Sequence, residues 1–229
     1  MKPDANARRK WDNEPLVLFV EGYSDLTFYA EAMEHIGLFA RCFIQDLGGK
    51  GRNKLSAEAS LLLKPRTLEK VESVAVILDA DDNAEGAFRL ARSALRDAVG
   101  VELSKAGEWV TPPQATTRFG AFIVGGDKGQ VEIESLAWAA WTEKRDNAAF
   151  RGCVEEFVKC AAAKGRRLQS IDKVRVGATL SVLNEDDPRL GPGARANVFD
   201  FESTAFAPLL AFLRGMSPPS SEDAVGSQP

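Results

Sequence analysis

The feature that most constrains this fold is a set of short apolar runs, each followed by carboxylates. There are three: residues 16–20 before Glu21 and Asp25, residues 74–78 before Asp79, Asp81 and Asp82, and residues 120–124 before Glu132 and Glu134. A run without polar residues is typical of a strand that is buried on both faces of a parallel sheet. Ligands of open α/β sheets bind beyond the carboxyl ends of the strands, so we expect these carboxylates at one edge.

Helical patterns separate the apolar runs. Strands are predicted at 16–20, 40–45, 72–78 and 119–124, with helices from Ser24 or Asp25 to Gly37, over 54–63 and over 84–99. This β-α-β-α-β-α order predicts parallel strands joined by right-handed crossovers. Residues 101–103 and 108–110 are predicted as further short strands. From residue 131 the chain becomes mainly helical, with helices at 132–142, 148–163, 170–183 and 205–214.

These elements predict an α/β fold with a mostly parallel central sheet, helices on both faces and a mainly helical C-terminal portion. We divide the chain into a flexible N-terminus at 1–14, an α/β core at 15–130, a helical extension packed on the core at 131–216 and a disordered tail at 217–229. The tail assignment follows from its Ser, Pro and acidic residues.

Composition limits the function classes. The 229 residues carry a net charge of −4, so no global basic field attracts nucleic acid, although a local patch is sufficient. Cys42, Cys153 and Cys160 form no CxxC pattern and are interpreted as buried residues in a reducing cytosol. His35 is the only histidine, which argues against His-based zinc sites and triads. No stretch reaches the roughly 20 apolar residues that span a bilayer, so we predict a cytoplasmic protein without membrane association.

Carboxylates gathered at one sheet edge repel one another unless a cation lies between them. Hard oxygen ligands favour Mg²⁺, with Mn²⁺ as a substitute. In an extended Asp79-Ala80-Asp81 segment, alternate side chains face the same way and could hold one ion. Simpler interpretations remain open: Asp25 is equally well explained as a helix cap, and Glu134 as a carboxylate at a helix N-terminus. The metal-ligand candidates are Glu21, Asp25, Asp79, Asp81, Glu132 and Glu134.

Two groups of basic residues complete the candidate site. Lys173 could hold a phosphate or stabilise charge on a leaving group, although a lysine on an amphipathic helix is usually just solvated. Lys50, Arg52 and Lys54 surround a glycine loop, 48–51, and suit contacts with a nucleic-acid backbone. That loop is not a Walker A motif, because no GxxxxGK[ST] pattern is present.

In order along the chain, these motifs resemble the TOPRIM domain. Glu21-Gly22-x-x-Asp25 followed by Asp79-x-Asp81 carries the resemblance, and residues 17–37 are similar to the opening of the TOPRIM part of OLD-family nucleases. Residues 129–136 (GQVEIESL), the segment Asp172-Lys173 and the segment 199–201 resemble a small uncharacterised TOPRIM-like family near them. The resemblance spans about 16 to 214, with motifs that are individually short.

The resemblance implies a compact sheet with helices on both faces and an acidic magnesium site. OLD-type nucleases use two metals, and a later glutamate and lysine complete their site; Glu134 and Lys173 match these by position. Unlike OLD proteins, this chain contains no ATPase domain, so any ATP control would come from a separate SMC-like or AAA ATPase chain.

We therefore predict a Mg²⁺-dependent, two-metal nuclease that hydrolyses phosphodiester bonds of DNA or RNA, with Glu21, Asp79, Asp81, Glu134 and Lys173 as catalytic residues. The alternative is a non-catalytic TOPRIM-like binding or regulatory subunit that works with a separate ATPase in antiviral defence or a toxin system. A primase-like polymerase is less favoured, because the chain shows no zinc-binding or template-handling domain. The sequence leaves open whether the chain forms a homo-oligomer.

Overall fold

A computed structural model describes residues 14–48, 54–113, 115–125, 132–166, 168 and 170–217. The predicted disordered tail from 218 onward lies outside the described residues. So does the predicted flexible N-terminus, apart from residue 14. The chain folds into a five-stranded sheet that is covered by helices, with a helical C-terminal part.

The sheet is parallel except for one edge strand. Its strands are β1 (Leu16–Val20), β2 (Cys42–Asp46), β3 (Ser73–Asp79), β4 (Trp109–Val110) and β5 (Arg118–Val124). Their order is β2-β1-β3-β5-β4, and only β4 runs antiparallel to its neighbour. The predicted mostly parallel sheet is confirmed.

Nine helices are assigned in the described part of the chain. They are α1 (Tyr23–His35), α2 (Leu55–Leu62), α3 (Pro65–Leu68), α4 (Ala84–Val99), α5 (Ile133–Glu143), α6 (Ala148–Ala163), α7 (Ile171–Leu183), α8 (Leu190–Arg195) and α9 (Ala207–Arg214). The helices α3 and α8 were not predicted from the sequence. Both are short, and α8 contains two glycines and a proline, a composition that favours loops.

Alternate residues of the central strands enter two separate hydrophobic cores. On β1, Leu16, Leu18 and Val20 belong to a core with α1 and with α5 to α9; α6 contributes Val154 and the partly buried Phe150. Val17 and Phe19 pack with α2 and α4 on the other face. Since successive side chains of a strand point to opposite faces, an uninterrupted apolar run buries both. The prediction of helices on both faces is confirmed.

The C-terminal helices share a core with the sheet. The Ser73 hydroxyl donates a buried hydrogen bond to the carbonyl of Met216 (2.7 Å), and the Trp109 indole N–H donates to the carbonyl of Phe212 (3.2 Å). These contacts join the ends of β3 and β4 to the last helix. None of the described helices is long and apolar enough to cross a membrane.

Two predictions were wrong. Residues 101–103 form no strand: Val101 and Leu103 are buried against the α2 and α4 layer, while Trp109 and Val110 pair with the edge of β5 instead. Of the three cysteines, only Cys42 is buried, because Cys153 and Cys160 lie on the solvent face of α6. All three are free thiols.

A glycine pair tests the close packing of α1 against α8. A Cβ on Gly191 would lie 2.1 Å from the Thr27 hydroxyl and 2.8 Å from the Thr27 carbonyl carbon, whereas one on Gly177 of α7 would meet nothing within 4 Å. We expect Gly191→Ala to lower the free energy of unfolding by about 2 kcal/mol through overpacking. Gly177→Ala should raise it by about 0.5 kcal/mol through helix propensity. Urea denaturation measures both, and equal effects would contradict the close contact.

Candidate metal and phosphate site

The sheet order creates a crevice between β1 and β3. The chain passes from β1 to β2 on one side and then returns to β3 on the other side of β1. The direction of winding therefore reverses between β1 and β3, which is where open α/β sheets bind ligands. Glu21 follows β1, and Asp79 ends β3 at this point.

Glu21, Asp25 and Asp79 are joined through main-chain hydrogen bonds. The backbone N–H of Asp79 donates to Glu21 Oε1 (2.9 Å), and the N–H of Gly22 donates to Asp25 Oδ2 (2.9 Å). Asp25 is the third residue of α1 and reaches back to the residue before the helix, so it does serve as a cap. Asp79 Oδ1 accepts the N–H of Ile133 (3.1 Å), the first residue of α5.

The carboxyls of Asp25 and Asp79 resist ionisation. Burial and then the charge of Glu21 raise the pKa of Asp25 to about 6. Burial, followed by the charges of Asp25, Glu21 and Glu134, holds the pKa of Asp79 well above its usual range, and Lys173 only partly offsets this. Since the charges of Asp25, Glu21 and Glu134 all act on Asp79, these side chains form one electrostatic cluster.

Glu134 belongs to the same cluster, although it comes from the other side of the crevice. Burial raises its pKa to about 7, against the lowering effect of Lys173, and the charges of Glu132 and Asp25 add to the rise. Its Oε2 atom is buried and has no hydrogen-bond partner. A buried carboxylate oxygen without a partner is costly unless the group is protonated or a cation binds it.

Glu132 has a different neighbourhood from Glu134. Its side chain is 5% exposed and forms an ion pair with Lys173 (Oε2 to Nζ, 2.9 Å). The Ser170 hydroxyl donates to its other oxygen and accepts the backbone N–H of Lys173 (3.0 Å). Burial lowers the pKa of Lys173, but the hydrogen bond to Glu132 and the charges of Glu134 and Glu132 outweigh it, and the pKa is raised.

A second polar chain joins α5 to α7. The Ser135 hydroxyl donates to Asp172 Oδ2 (2.6 Å), and Asp172 Oδ1 accepts from Arg175 (2.8 Å). Arg175 also donates to Glu155 (3.0 Å) and lies over the Trp138 ring, 5.6 Å from its centroid. These contacts hold the N-termini of α5 and α7 together, and with them Glu134 and Lys173.

The prediction of an extended Asp79-Ala80-Asp81 segment is wrong. β3 ends at Asp79, and Asp81 adopts a left-handed backbone with φ of 47°. The alternation of an extended strand therefore does not carry over from Asp79 to Asp81. Asp81 is half-buried and Asp82 is exposed. A metal-binding role for Asp81 stays a prediction.

Two residues near the cluster were not predicted from the sequence as site residues. Asp46 ends β2, and its charge contributes to the raised pKa of Asp25. Tyr29 lies one helical turn after Asp25, and burial together with the charge of Asp79 raises its pKa. A carboxylate at a strand end is the signal already used for Glu21 and Asp79, so Asp46 could have been found from the sequence.

The basic loop is described only in part. Lys50 and Arg52 lie outside the described residues. Lys54 reaches the acidic edge: a Cβ on Gly48 would lie 3.5 Å from Lys54 Nζ and 3.9 Å from Asp46 Oδ1. The ammonium of Lys54 and the carboxylate that ends β2 therefore both lie near Gly48 at this edge.

The donor atoms suit magnesium, although the side chains are not arranged around an ion. Within the described ranges, no group of three or more His, Cys, Asp or Glu residues is placed to hold a metal. The cluster nevertheless contains hard oxygen donors, two carboxyl pKa values raised to about 6 and about 7, and a buried oxygen of Glu134 without a partner. A divalent cation would relieve each of these costs, so the donor set fits Mg²⁺.

The Glu132–Lys173 pair can be tested by a double-mutant cycle. Lys173→Met leaves the buried carboxylate of Glu132 without its cation, and we expect the free energy of unfolding to fall by about 1–2 kcal/mol. The loss of stability is limited because the Lys173 side chain is 55% exposed to solvent. Glu132→Gln combined with Lys173→Met should recover most of the loss. Additive single losses in urea denaturation would show that the pair is not coupled.

Together these features define an α/β protein with an acidic cluster at the switch point of a parallel sheet. The family described as "Protein of unknown function (DUF3226)" matches residues 15–217, and the chain belongs to it. No curated protein matches the chain. One similar solved structure is the C-terminal region of the Xanthomonas campestris pv. campestris OLD protein. It is 13% identical over 88% of this chain and 95% of that chain, with a TM-score of 0.44, a level that carries no argument about function.

Proposed function

We propose that this protein is a Mg²⁺-dependent nuclease of the TOPRIM type that hydrolyses phosphodiester bonds of DNA or RNA. The observation that carries the proposal is the burial of Asp25, Asp79 and Glu134 at the switch point of the sheet, which together with nearby negative charges raises the pKa of all three carboxyls. These carboxyls come from three separate elements, α1, β3 and α5. The free-energy cost of burying them together is therefore a result of the tertiary packing and not of one local segment. Perturbed pKa values in a crevice favour a functional site. The TOPRIM resemblance of the motifs supports the same conclusion.

The roles divide between holding cations and neutralising phosphate. Glu21, Asp25, Asp79 and Glu134 would hold one or two Mg²⁺ ions, with Asp81 and Glu132 as further candidate ligands. When bound at such a site, Mg²⁺ supplies charge stabilisation for the attacking and leaving oxygens of phosphodiester hydrolysis. The positive charge of Lys173, which pairs with Glu132, also acts on Glu134 and Asp79, so it could neutralise charge on a substrate phosphate bound at the cluster.

Lys54 would contact the nucleic-acid backbone on the β2 side of the same edge. Its ammonium and the Asp46 carboxylate both lie near Gly48, so a phosphate bound there would meet a cation as well as a carboxylate. Lys54 and Lys173 come from opposite sides of the crevice, on the β2 and α7 sides. This placement offsets the net charge of −4 locally.

Cleavage assays with fluorescent DNA and RNA oligonucleotides, with Mg²⁺ or Mn²⁺, test the proposal. We expect the wild-type protein to cleave one of these substrates and Asp79→Ala to reduce the rate about 100-fold or more. Asp82→Ala is the matched control, because Asp82 is an exposed aspartate three residues along the chain. If Asp79→Ala cleaves as well as wild type, the activity does not belong to this site.

A non-catalytic binding or regulatory subunit that works with a separate ATPase is the second candidate. The absence of a ready-made metal group among the described carboxylates favours it, as does the pairing of Glu132 with Lys173. Calorimetric titration with Mg²⁺ and Mn²⁺ discriminates between the two. Binding in the millimolar range or tighter supports the nuclease, whereas no binding by wild-type protein favours the regulatory subunit.

A further inference from the structure

Glu132 differs from the other candidate metal ligands because both of its carboxylate oxygens already contact hydrogen-bond donors. Its Oε2 pairs with the Lys173 ammonium (2.9 Å), and its Oε1 accepts the Ser170 hydroxyl. Glu134, two residues further on, has instead a buried Oε2 without a hydrogen-bond partner. A Mg²⁺ ion on Glu132 Oε2 would stand next to an ammonium, and two cations at one oxygen repel each other.

Direct contacts place the Lys173 ammonium close to the acidic cluster. Asp79 Oδ1 accepts the backbone N–H of Ile133 (3.1 Å), and Ile133 follows Glu132 in the chain. Glu132 in turn pairs with the ammonium. The Lys173 side chain is 55% exposed, and Glu132 accepts one of the three N–H donors that an ammonium carries. The remaining donors can therefore contact a phosphate that binds at the cluster.

Ser170 holds the main chain of the same lysine. Its hydroxyl donates to Glu132 Oε1 and accepts the backbone N–H of Lys173 (3.0 Å), so it caps the first turn of α7. Glu132 and Ser170 therefore contact both the main chain and the ammonium of Lys173. A lysine side chain has a flexible four-carbon stem, and these contacts select one position for its charge.

A second hydroxyl connects the same two helix ends. The backbone N–H of Glu132 donates to the Ser135 hydroxyl (3.5 Å), and this hydroxyl donates to Asp172 Oδ2 (2.6 Å). Asp172 immediately precedes Lys173. The start of α7 is thus joined to Glu132 through two hydroxyls, those of Ser135 and Ser170. The position of the ammonium therefore depends on the packing of α5 against α7 and not on the lysine side chain alone.

We propose that Glu132 and Ser170 are positioning residues that hold the Lys173 ammonium for a substrate phosphate, and that Glu132 is not a metal ligand. A charged group that is fixed before the substrate arrives stabilises the transition state more than a mobile one, because no freedom is lost during the reaction. The pairing of Glu132 with Lys173 then supports catalysis. This inference rests on the proposed nuclease function for the phosphate that Lys173 meets.

A kinetic double-mutant cycle tests the positioning role. We expect Glu132→Gln to lower kcat about tenfold and to change KM less than about twofold. Glu132→Asp should also lower kcat, because the shorter side chain keeps the charge but cannot hold the ammonium at the same place. In a Lys173→Met background, Glu132→Gln should lower the rate no further, since Glu132 acts through Lys173. Additive losses would overturn the proposal.

Calorimetric titration with Mg²⁺ separates positioning from metal binding. Glu132→Gln should leave the Kd for Mg²⁺ within about twofold of wild type, whereas removal of a charged ligand should raise it about tenfold or more. A rise of that size would show that Glu132 is a metal ligand and would overturn the proposal. Ser170→Thr keeps a hydroxyl and should retain the wild-type kcat, whereas Ser170→Ala should lower it. Equal kcat values for Ser170→Ala and wild type would remove Ser170 from this role.

Glu31→Gln is the matched control for a loss of stability. The Glu31 side chain is 10% exposed and pairs with the half-exposed Arg195 (2.7 Å), so it resembles Glu132 in burial and in having one cationic partner. The control should destabilise the protein as Glu132→Gln does, but it should leave kcat within about twofold of wild type. Equal losses of kcat in both variants would show an effect on folding and would overturn the positioning role.

The outcome for Glu132 can be separated from the outcome for the nuclease. If wild-type protein cleaves and the losses are additive, the positioning role is wrong and the nuclease stands. If wild-type protein cleaves no substrate with Mg²⁺ or Mn²⁺, the nuclease is wrong, and fluorescence anisotropy with the same labelled oligonucleotides in Mg²⁺ decides the positioning role. Weaker binding by Glu132→Asp, but not in a Lys173→Met background, supports it. Wild-type-like binding by Glu132→Asp, or no binding by wild-type protein, overturns it.

Discussion

Asparagine in place of Asp79 is expected to stabilise the metal-free protein and to remove its response to Mg²⁺. The Asp79 carboxyl is buried among Asp25, Glu21 and Glu134, and its pKa is held well above the usual range. An amide removes one negative charge from the cluster and retains an oxygen that can accept the N–H of Ile133. We expect the free energy of unfolding to rise by about 2 kcal/mol at about pH 8 in EDTA.

The same substitution should eliminate metal-dependent stabilisation. If Mg²⁺ binds the folded protein as proposed, it stabilises wild type by mass action, and the melting temperature of wild type should rise with Mg²⁺ concentration. Asp79→Asn should show little of this rise, and it should cleave no better than Asp79→Ala. Asp82→Asn is the control, because an exposed carboxylate outside the cluster should change stability by less than about 0.5 kcal/mol. Destabilisation of Asp79→Asn at alkaline pH would contradict the electrostatic argument.

The metal-free protein should lose stability as the pH rises from about 5 to about 8. The pKa of Asp25 is raised to about 6 and that of Glu134 to about 7. Since these values exceed those of an unfolded chain, near 4, the folded protein binds more protons than the unfolded protein within this window. Stability therefore falls as the pH rises through the raised pKa values. We expect a loss of about 2–4 kcal/mol in the free energy of unfolding.

Saturating Mg²⁺ should reverse most of this loss, because a bound cation favours the ionised carboxylates. Urea denaturation across the pH range, with EDTA or with excess Mg²⁺, measures both curves. Asp79→Asn should flatten the curve obtained in EDTA, since one of the interacting charges is gone. A metal-free protein that becomes more stable between about pH 5 and about pH 8 would show that these carboxyls ionise without cost.

Much of the sheet could be predicted because its signals are local. An apolar run such as 16–20 is typical of a strand that is buried on both faces. Gly100 marks the end of α4, because it has a left-handed conformation that glycine adopts easily. Short helices were harder to predict from the sequence. α8 contains glycine and proline yet forms a helix, because tertiary packing against α1 outweighs its weak propensity.

The candidate site was only partly predictable for the same reason. Glu21, Asp79 and Glu134 were selected because they follow strands or begin helices, and this signal would also have found Asp46. The neighbours of Glu132 were not predictable, because Lys173 and Ser170 reach it across about forty positions of sequence. The left-handed turn at Asp81 also escaped prediction, since an aspartate tolerates both extended and left-handed backbone.

The amino-acid sequence by itself determined the parallel α/β layering of this protein and the gathering of carboxylates at one edge. Both follow from the two-residue period of strands and from the order of strands and helices along the chain. Tertiary structure alone decided which carboxylates share a charge cluster and which one pairs with Lys173. Charge interactions depend on distance and burial, and packing between elements far apart in the chain sets both.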